Sequence, residues 1–392
     1  MSAEEGNAGT DAQGRAGFAA LWALAAFAAA IFAIHFRLAH LSMHTIYAHF
    51  SGLAVSGVVI ALVATLFSYA AMTWQDWLVL HHYGQPRPLA EMGFASFTAN
   101  AVGNSLGFPD ATGGAVRSRI FATLGLTPED GAAILGMSRR SLTAGALLLS
   151  GAGLVFEASS FPIHFGVPDW AAILAGIGLL GLVGLHLWRT REVPAGVPGA
   201  IRRLALSLTD WAAAGLALFV LLPQDTAIGY AAFLPIFALA CLAGGISGLP
   251  GGIGVFEAVI LLLVPASPAE GLAASLIAYR AVYYLLPLII AGAGLGLEAL
   301  RSHTAALEGA RRGAGDVAGV LAPMLFSLLA FASGAYMLAA AMTPALPAPL
   351  KEAARLLPLP VIEISHFLAS IVGLLLLIVA NGLSRRLSHA WL

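Results

Sequence analysis

Charge is scarce in this sequence. Only 10% of the 392 residues are Asp, Glu, Lys or Arg, against about 25% in an ordinary soluble domain. That shortage, beside 59% hydrophobic residues and a mean hydropathy of +0.87, excludes a soluble enzyme, a nucleic-acid-binding protein and a disordered chain. The few charges nearly cancel, 19 basic against 20 acidic, so no bulk field selects a partner. Lysine is almost missing, with Lys351 alone among the basic residues. Cysteine is reduced to Cys241, which rules out an intrachain disulfide, a CxxC pair and a cysteine-built zinc site. The eleven histidines form no HExxH pattern. No G-x-S-x-G or Walker A motif is present either, so no cofactor, metal or covalent catalysis is expected.

Long apolar runs are what the sequence has in abundance. At about 20 residues per crossing, eight runs without central charge read as transmembrane helices: 16–36, 52–80, 141–157, 168–188, 204–222, 272–297, 318–341 and 364–384. The polar, acidic residues 1–15 lack the basic start of a signal peptide and read as a disordered tail. Residues 345–362 read as a short amphipathic piece along the outer interface. Two further apolar segments, 92–122 and 228–266, are interrupted by GFPDATGG at 107–114 and by GLPGG at 248–252. Gly/Pro clusters of this kind break helices.

The basic residues orient the chain. With a cytoplasmic tail and both interrupted segments returning to the side they left, thirteen arginines, from Arg15 to Arg386, fall in the cytoplasm. Only Arg37, Lys351 and Arg355 fall outside. This is a strong positive-inside bias, with both termini cytoplasmic. A full crossing by both arms of 228–266 would leave the same parity.

In this orientation the two interrupted segments open to opposite sides, each between a pair of spans. That is an inverted-topology repeat of an all-α polytopic membrane protein, with about eight transmembrane helices and two re-entrant broken hairpins. Broken elements at corresponding positions of such halves point to a midplane binding site. A half-helix starting after Gly114, or after Gly251 and Gly252, presents free N–H groups and a positive dipole end to an anion such as a lipid phosphate. Close helix packing is the other use of such glycines.

Five charged residues stand out within apolar segments: Asp76, Arg117, Arg119, Glu257 and Arg280. Each costs about 2.5–3.5 kcal/mol at a helix centre, so each should face a cavity or a partner. Arg117 and Arg119 are two residues apart and point to nearly opposite faces, so one of them can snorkel to the interface. Glu257 is the only acid in 228–266 and suits a cationic substrate group or Arg117. Arg280 precedes Tyr283 and Tyr284 by three and four residues, a face fit either for phosphate or for a tie between helices. Asp76, between Trp74 and Trp77, fits the site or the inner interface. Asn100 and Asn104 share one helix face, lining a cavity or bonding a neighbouring helix.

Three stretches, GGAVRSRIFATLGLT (113–127), GGISGLPGGIGVFEAVILLL (244–263) and AYRAVYYLLPLI (278–289), resemble the phosphatidylglycerol lysyltransferase family, also called lysyl-phosphatidylglycerol synthase or multiple peptide resistance factor. The similarity is expected to extend over essentially the whole membrane region. It implies a translocase that moves aminoacylated phosphatidylglycerol from the inner to the outer leaflet of the bacterial cell membrane, protecting against cationic antimicrobial peptides. By the same resemblance Arg117 and Arg119 match an Arg-x-Arg after the first break, Glu257 the acid of GxGxFE, Arg280 the YRxxYY stretch, and Asp76 the aspartate ending the second span. Members of that family carry a further soluble acyltransferase domain. Here the chain stops eight residues after the last span, so that domain is expected to be absent from 16–392, with transfer left to a separate synthase. Faces rich in small residues permit a homodimer. An ion-coupled transporter of a small anionic solute, or a membrane anchor for a synthase, are the alternatives these residues leave open.

Overall fold

A computed structural model of the chain describes residues 53–302, apart from 84–86, 107–120, 122–124, 157–167, 190–195, 225, 248–249 and 265–268, together with residue 372. The tail 1–15, the spans 16–36, 318–341 and 364–384, and the segment 345–362 lie outside the described residues. The chain divides into two units, 1–292 and 293–392. Only the first turns of the second are described, and the first holds everything that follows.

All described secondary structure is helical. In order it comprises α1 (Val55–His82), α2 (Leu89–Leu106), α3 (Pro128–Phe156), α4 (Asp169–Arg189), α5 (Gly196–Phe219) and α6 (Tyr230–Ser247). A 3-10 turn (Pro250–Gly252) then leads into the short α7 (Val255–Leu263). Helix α8 (Ala269–Tyr279) runs through a π-helical turn (Arg280–Leu285) into α9 (Leu286–Ser302). Among the described residues four helical runs are long and apolar enough to cross a membrane: Val55–His82, Asp169–Arg189, Tyr230–Ser247 and Gly271–Gly294. The chain is a helical membrane protein.

Three of these runs coincide with spans expected at 52–80, 168–188 and 272–297. The other two expected spans in this region are parts of longer, more polar helices. Helix α3 starts well before residue 141 because Thr127 and Asp130 cap it reciprocally, Asp130 N–H donating to Thr127 Oγ1 at 3.2 Å and Thr127 N–H to Asp130 Oδ2 at 2.9 Å. Pro128 fits the first helical position, where no N–H is needed. Helix α5 carries Arg202, Arg203 and Asp210, and buries a polar stripe of Arg203, Ser207 and Asp210 beside Ala200 and Ala214.

Glycines let the helices approach closely. A Cβ on Gly151 of α3 would lie 3.0 Å from the Gly176 carbonyl of α4, and one on Gly57 of α1 would lie 2.9 Å from the Val220 carbonyl just past α5. Such contacts are available to small residues only. On α4 the apolar face is left outward, with Leu174 and Ile177 59% and 54% exposed, as lipid rather than water would favour. Exposed Trp170 and Trp188 mark the two ends of this helix, roughly 27 Å apart at 1.5 Å per residue. That is close to the hydrocarbon thickness, and tryptophan prefers its edges.

The second interrupted segment is asymmetric. Helix α6, at 18 residues, is about as long as the hydrocarbon layer, whereas α7, at 9 residues, reaches roughly half that depth. Of the first interrupted segment only α2 and the isolated Phe121 are described, with α2 ending at Leu106 immediately before the glycine cluster.

Candidate functional site

The break after α6 is built from glycines whose backbone other residues avoid. Gly251, Gly252 and Gly254 have φ of 57°, 64° and 87°, the left-handed region in which a Cβ is strained. Space is short as well. A Cβ on Gly252 would meet Gly244 Cα at 3.0 Å, and one on Gly251 would meet Arg280 Nη1 at 3.2 Å. The tight turn thereby folds back on the end of α6 and starts α7 beside the π-helical turn.

Glu257 and Arg280 lock that turn. Glu257, three residues into α7's cap, accepts the Gly254 N–H on Oε2 at 2.7 Å, so the half-helix N-terminus is capped by its own carboxylate. Its other oxygen pairs with Arg280, Nε at 2.8 Å and Nη2 at 2.7 Å. Arg280 Nη1 donates to the Gly251 carbonyl at 2.8 Å. The guanidinium also lies 4.6 Å from the Tyr284 ring centre and 5.3 Å from that of Phe256, within cation–π range. The end of α2 reaches the same place. Ser105 Oγ donates to the Tyr284 carbonyl at 3.2 Å, and the carbonyls of Asn104 and Ser105 face Gly251. The two interrupted segments therefore meet at the second break.

The wide π turn separates the tyrosines that follow Arg280. Tyr284 lies against the guanidinium, while Tyr283 turns toward α1 and α5. There its hydroxyl is 2.8 Å from Ser68 Oγ, and Ser68 in turn donates to Asp210 Oδ1. Tyr69 donates its hydroxyl to the Tyr283 carbonyl at 3.2 Å.

Between these elements lies a cavity of about 520 Å³. Its wall takes Met72 from α1, Asn104 from α2, Arg139 and Thr143 from α3, Asp210 and Trp211 from α5, and Cys241 and Gly244 from α6. Gly251, Gly252, Phe256 and the three tyrosines 279, 283 and 284 also line it. The charged residues among the lining are Arg139 and Asp210. Neither is conspicuous in the sequence as a site residue. Arg139 reads as one of many arginines at a span end, and Asp210 lies in a run otherwise taken as uninterrupted apolar sequence. The signal that exposes Asp210 is the spacing Arg203, Ser207, Asp210, Ala214, which puts three polar residues on one helix face.

The other expected site residues are distributed as follows. Glu257, Arg280, Gly251, Gly252 and Tyr284 come together at the break, while Tyr283 is carried off to Ser68. Asp76 stands apart, 1% exposed, receiving Ser96 at 2.5 Å, Asn100 at 3.2 Å and Ser138 at 2.7 Å, and so joins α1 to α2 and α3. The buried neighbour Gln75 adds a bond to the Ser138 carbonyl at 2.8 Å. The two asparagines divide as well, Asn100 going to Asp76 and Asn104 to the cavity. Gly114, Arg117 and Arg119 lie outside the described residues. Among the described residues no group of His, Cys, Asp and Glu is arranged to hold a metal ion.

No protein-family model matches the chain. It is 30% identical over 292 residues to the uncharacterized protein slr0712 of Synechocystis, which covers 71% of this chain and 90% of that protein. It is 31% identical over 193 residues to the inner membrane protein YbhN of Escherichia coli, 45% of this chain and 59% of that one. It is also 36% identical to the phosphatidylglycerol lysyltransferase of Staphylococcus aureus, but over only 89 residues, 22% of this chain and 11% of that protein. The lysyltransferase resemblance thus spans a limited stretch rather than the whole membrane region.

Proposed function

The chain belongs to the family of the Synechocystis protein slr0712, and on that premise we propose that it is a lipid translocase, carrying aminoacylated phosphatidylglycerol from the inner to the outer leaflet. The observation that carries this reading is the cavity of about 520 Å³. It holds charge of both signs and is walled by helices that include membrane-crossing ones and by a broken helix. A headgroup with an ammonium and a phosphate needs a site of that kind. A lipid tail needs an apolar exterior along which to remain in the bilayer, which α1 and α4 offer. The short lysyltransferase match supports an aminoacyl phospholipid as the cargo.

In this reading the molecule is a multi-pass protein of the bacterial cell membrane with both termini cytoplasmic. It has about eight crossings, and its two interrupted segments are inverted repeats of each other. Residues 16–392 form the translocase, served by a separate synthase. Asp210 meets the ammonium and Arg139 the phosphate, with Arg117 and Arg119 supplying further positive charge from the first break. Glu257 and Arg280 hold the second break in shape, and Asp76 fixes α2 and α3 beside it. Exposure of the cavity to each leaflet in turn moves the headgroup.

Co-expression with a lysyl-phosphatidylglycerol synthase tests the reading in cells. Asp210→Asn and Glu257→Gln should abolish outer-leaflet lysyl-phosphatidylglycerol while leaving its total amount unchanged. Unchanged outer-leaflet labelling in both variants would overturn it. Uptake of a small anion by vesicles, with no change in lipid sidedness, would instead favour a solute transporter.

A further inference from the structure

Asp210 is an acid near the middle of α5, 4% exposed, on the wall of the cavity. Its carboxylate accepts the hydroxyl of Ser68, and among the described residues it has no ion-pair partner. A carboxylate taken out of water is costly unless a counter-charge is supplied. Among the described residues Glu257 is met by Arg280, whereas Asp210 is met by the neutral Ser68 hydroxyl and borders the cavity, where an exchangeable cation can reach it. Resting on the translocase reading, we infer that Asp210 binds the headgroup ammonium and a proton in alternation. The protein is then a one-for-one exchanger of cationic lipid against protons.

The groups around Asp210 suit that role. Ser68 Oγ lies between Asp210 and the Tyr283 hydroxyl, 2.8 Å from the latter. Each hydroxyl has one proton to give. When Asp210 is ionised, Ser68 donates to it and Tyr283 donates to Ser68. When Asp210 carries a proton, its own O–H can donate to Ser68 and the row reverses. Tyr69 is engaged elsewhere, on the Tyr283 carbonyl. From the other elements, Arg139 of α3, Cys241 of α6 and Tyr279 and Tyr284 beside the π turn share the cavity wall. Arg203, two turns earlier on α5 itself, contacts His82 at 3.4 Å.

The cycle balances. The ammonium enters from the cytoplasmic leaflet and displaces the proton from Asp210 into the cytoplasm. On the outer side a proton from solution replaces the ammonium, which leaves with its lipid. Each turnover carries one lipid outward and one proton inward. Lysyl-phosphatidylglycerol has one net positive charge, so this exchange is electrically neutral.

The full-length chain in vesicles of phosphatidylglycerol and lysyl-phosphatidylglycerol, with the membrane potential clamped, provides the test. The lysyl lipid should accumulate in the leaflet facing the more acidic solution, about tenfold per pH unit at steady state, as linkage requires of a one-for-one exchange. Asp210→Glu should keep that response and Asp210→Asn should lose it. If Asp210→Asn fails to fold, proton release by the wild type decides: a short-chain lysyl-phosphatidylglycerol added in weak buffer should liberate protons. Lysyl lipid that equilibrates across the wild-type vesicles with a ratio indifferent to pH would overturn the exchange and leave the translocase reading standing. Failure of the lysyl lipid to move at all would overturn both.

Discussion

Glu257 and Arg280 are 23 residues apart in sequence and one carboxylate oxygen apart in space. Oε1 of the acid accepts the Nε–H of the arginine and lies 2.7 Å from its Nη2 in the ion pair, while Oε2 holds the Gly254 amide. The same arginine ties down the Gly251 carbonyl. Two charges that are costly in a membrane thereby meet each other's needs and fix a turn that glycine alone leaves loose. The resulting break carries one wall of the cavity.

Removing either member of the pair should destabilise the protein more than removing both. Losing one partner of a fully buried pair costs about 3–5 kcal/mol. These side chains keep 18% and 21% exposure, so about 1–3 kcal/mol is expected for Glu257→Ala or Arg280→Ala alone, with solvent screening the rest. Thermal unfolding in detergent of both singles and the Glu257→Ala/Arg280→Ala double checks it. Additive losses would show that the pair is not coupled.

The glycines of the break should rank by what their Cβ would strike. Gly252→Ala meets the backbone of Gly244 and must also hold a left-handed φ. The backbone penalty and the overlap together should cost about 2 kcal/mol or more. Gly251→Ala meets the movable tip of Arg280 and should lose about 1–2 kcal/mol. Gly181→Ala on α4, with nothing within 4 Å of its Cβ, should be neutral. Melting temperatures of the three variants give the order directly.

Asp76 should behave as a clamp between helices. Asp76→Ala strands the donors of Ser96, Asn100 and Ser138, at about 1–3 kcal/mol for a buried group left without its partner. Asp76→Asn keeps one carbonyl oxygen and should cost less than Asp76→Ala. The check is unfolding temperature beside cargo preference. A change of preferred headgroup with unchanged stability would move Asp76 from scaffold to site.

Much of this was legible in the sequence, and the rest was hidden for physical reasons. The break at 248–252 showed itself because Gly and Pro exclude a continuous helix, and Glu257 and Arg280 because charge is rare in apolar runs. Their mutual pairing was hidden, since a contact across 23 residues depends on the turn between them. Asp210 was obscured by the apolar residues around it, and Arg139 by the many arginines that set orientation. The divergence of Tyr283 from Tyr284 could not be read either. A regular α-helix puts both near Arg280, and only the wider π turn sends one of them to Ser68.

Cys241, the chain's one cysteine, reports on the cavity without any engineering. It lines the same wall as Asp210 and Arg139, so a headgroup seated there should slow its modification by a small maleimide several-fold. Short-chain lysyl-phosphatidylglycerol should protect it and short-chain phosphatidylglycerol much less. Equal rates with and without the lysyl lipid would place the cargo elsewhere.

The most direct measurement is leaflet-resolved chemistry on purified protein. Vesicles are made with lysyl-phosphatidylglycerol in both leaflets, and the outward-facing amines are exhausted with an impermeant amine reagent. The remaining lipid is then followed as it becomes reactive. With the wild-type chain, the inner pool should become accessible in step with the amount of protein reconstituted, and Asp210→Asn should return the rate to that of protein-free vesicles. An inner pool that stays protected in the presence of folded wild-type protein would contradict the account.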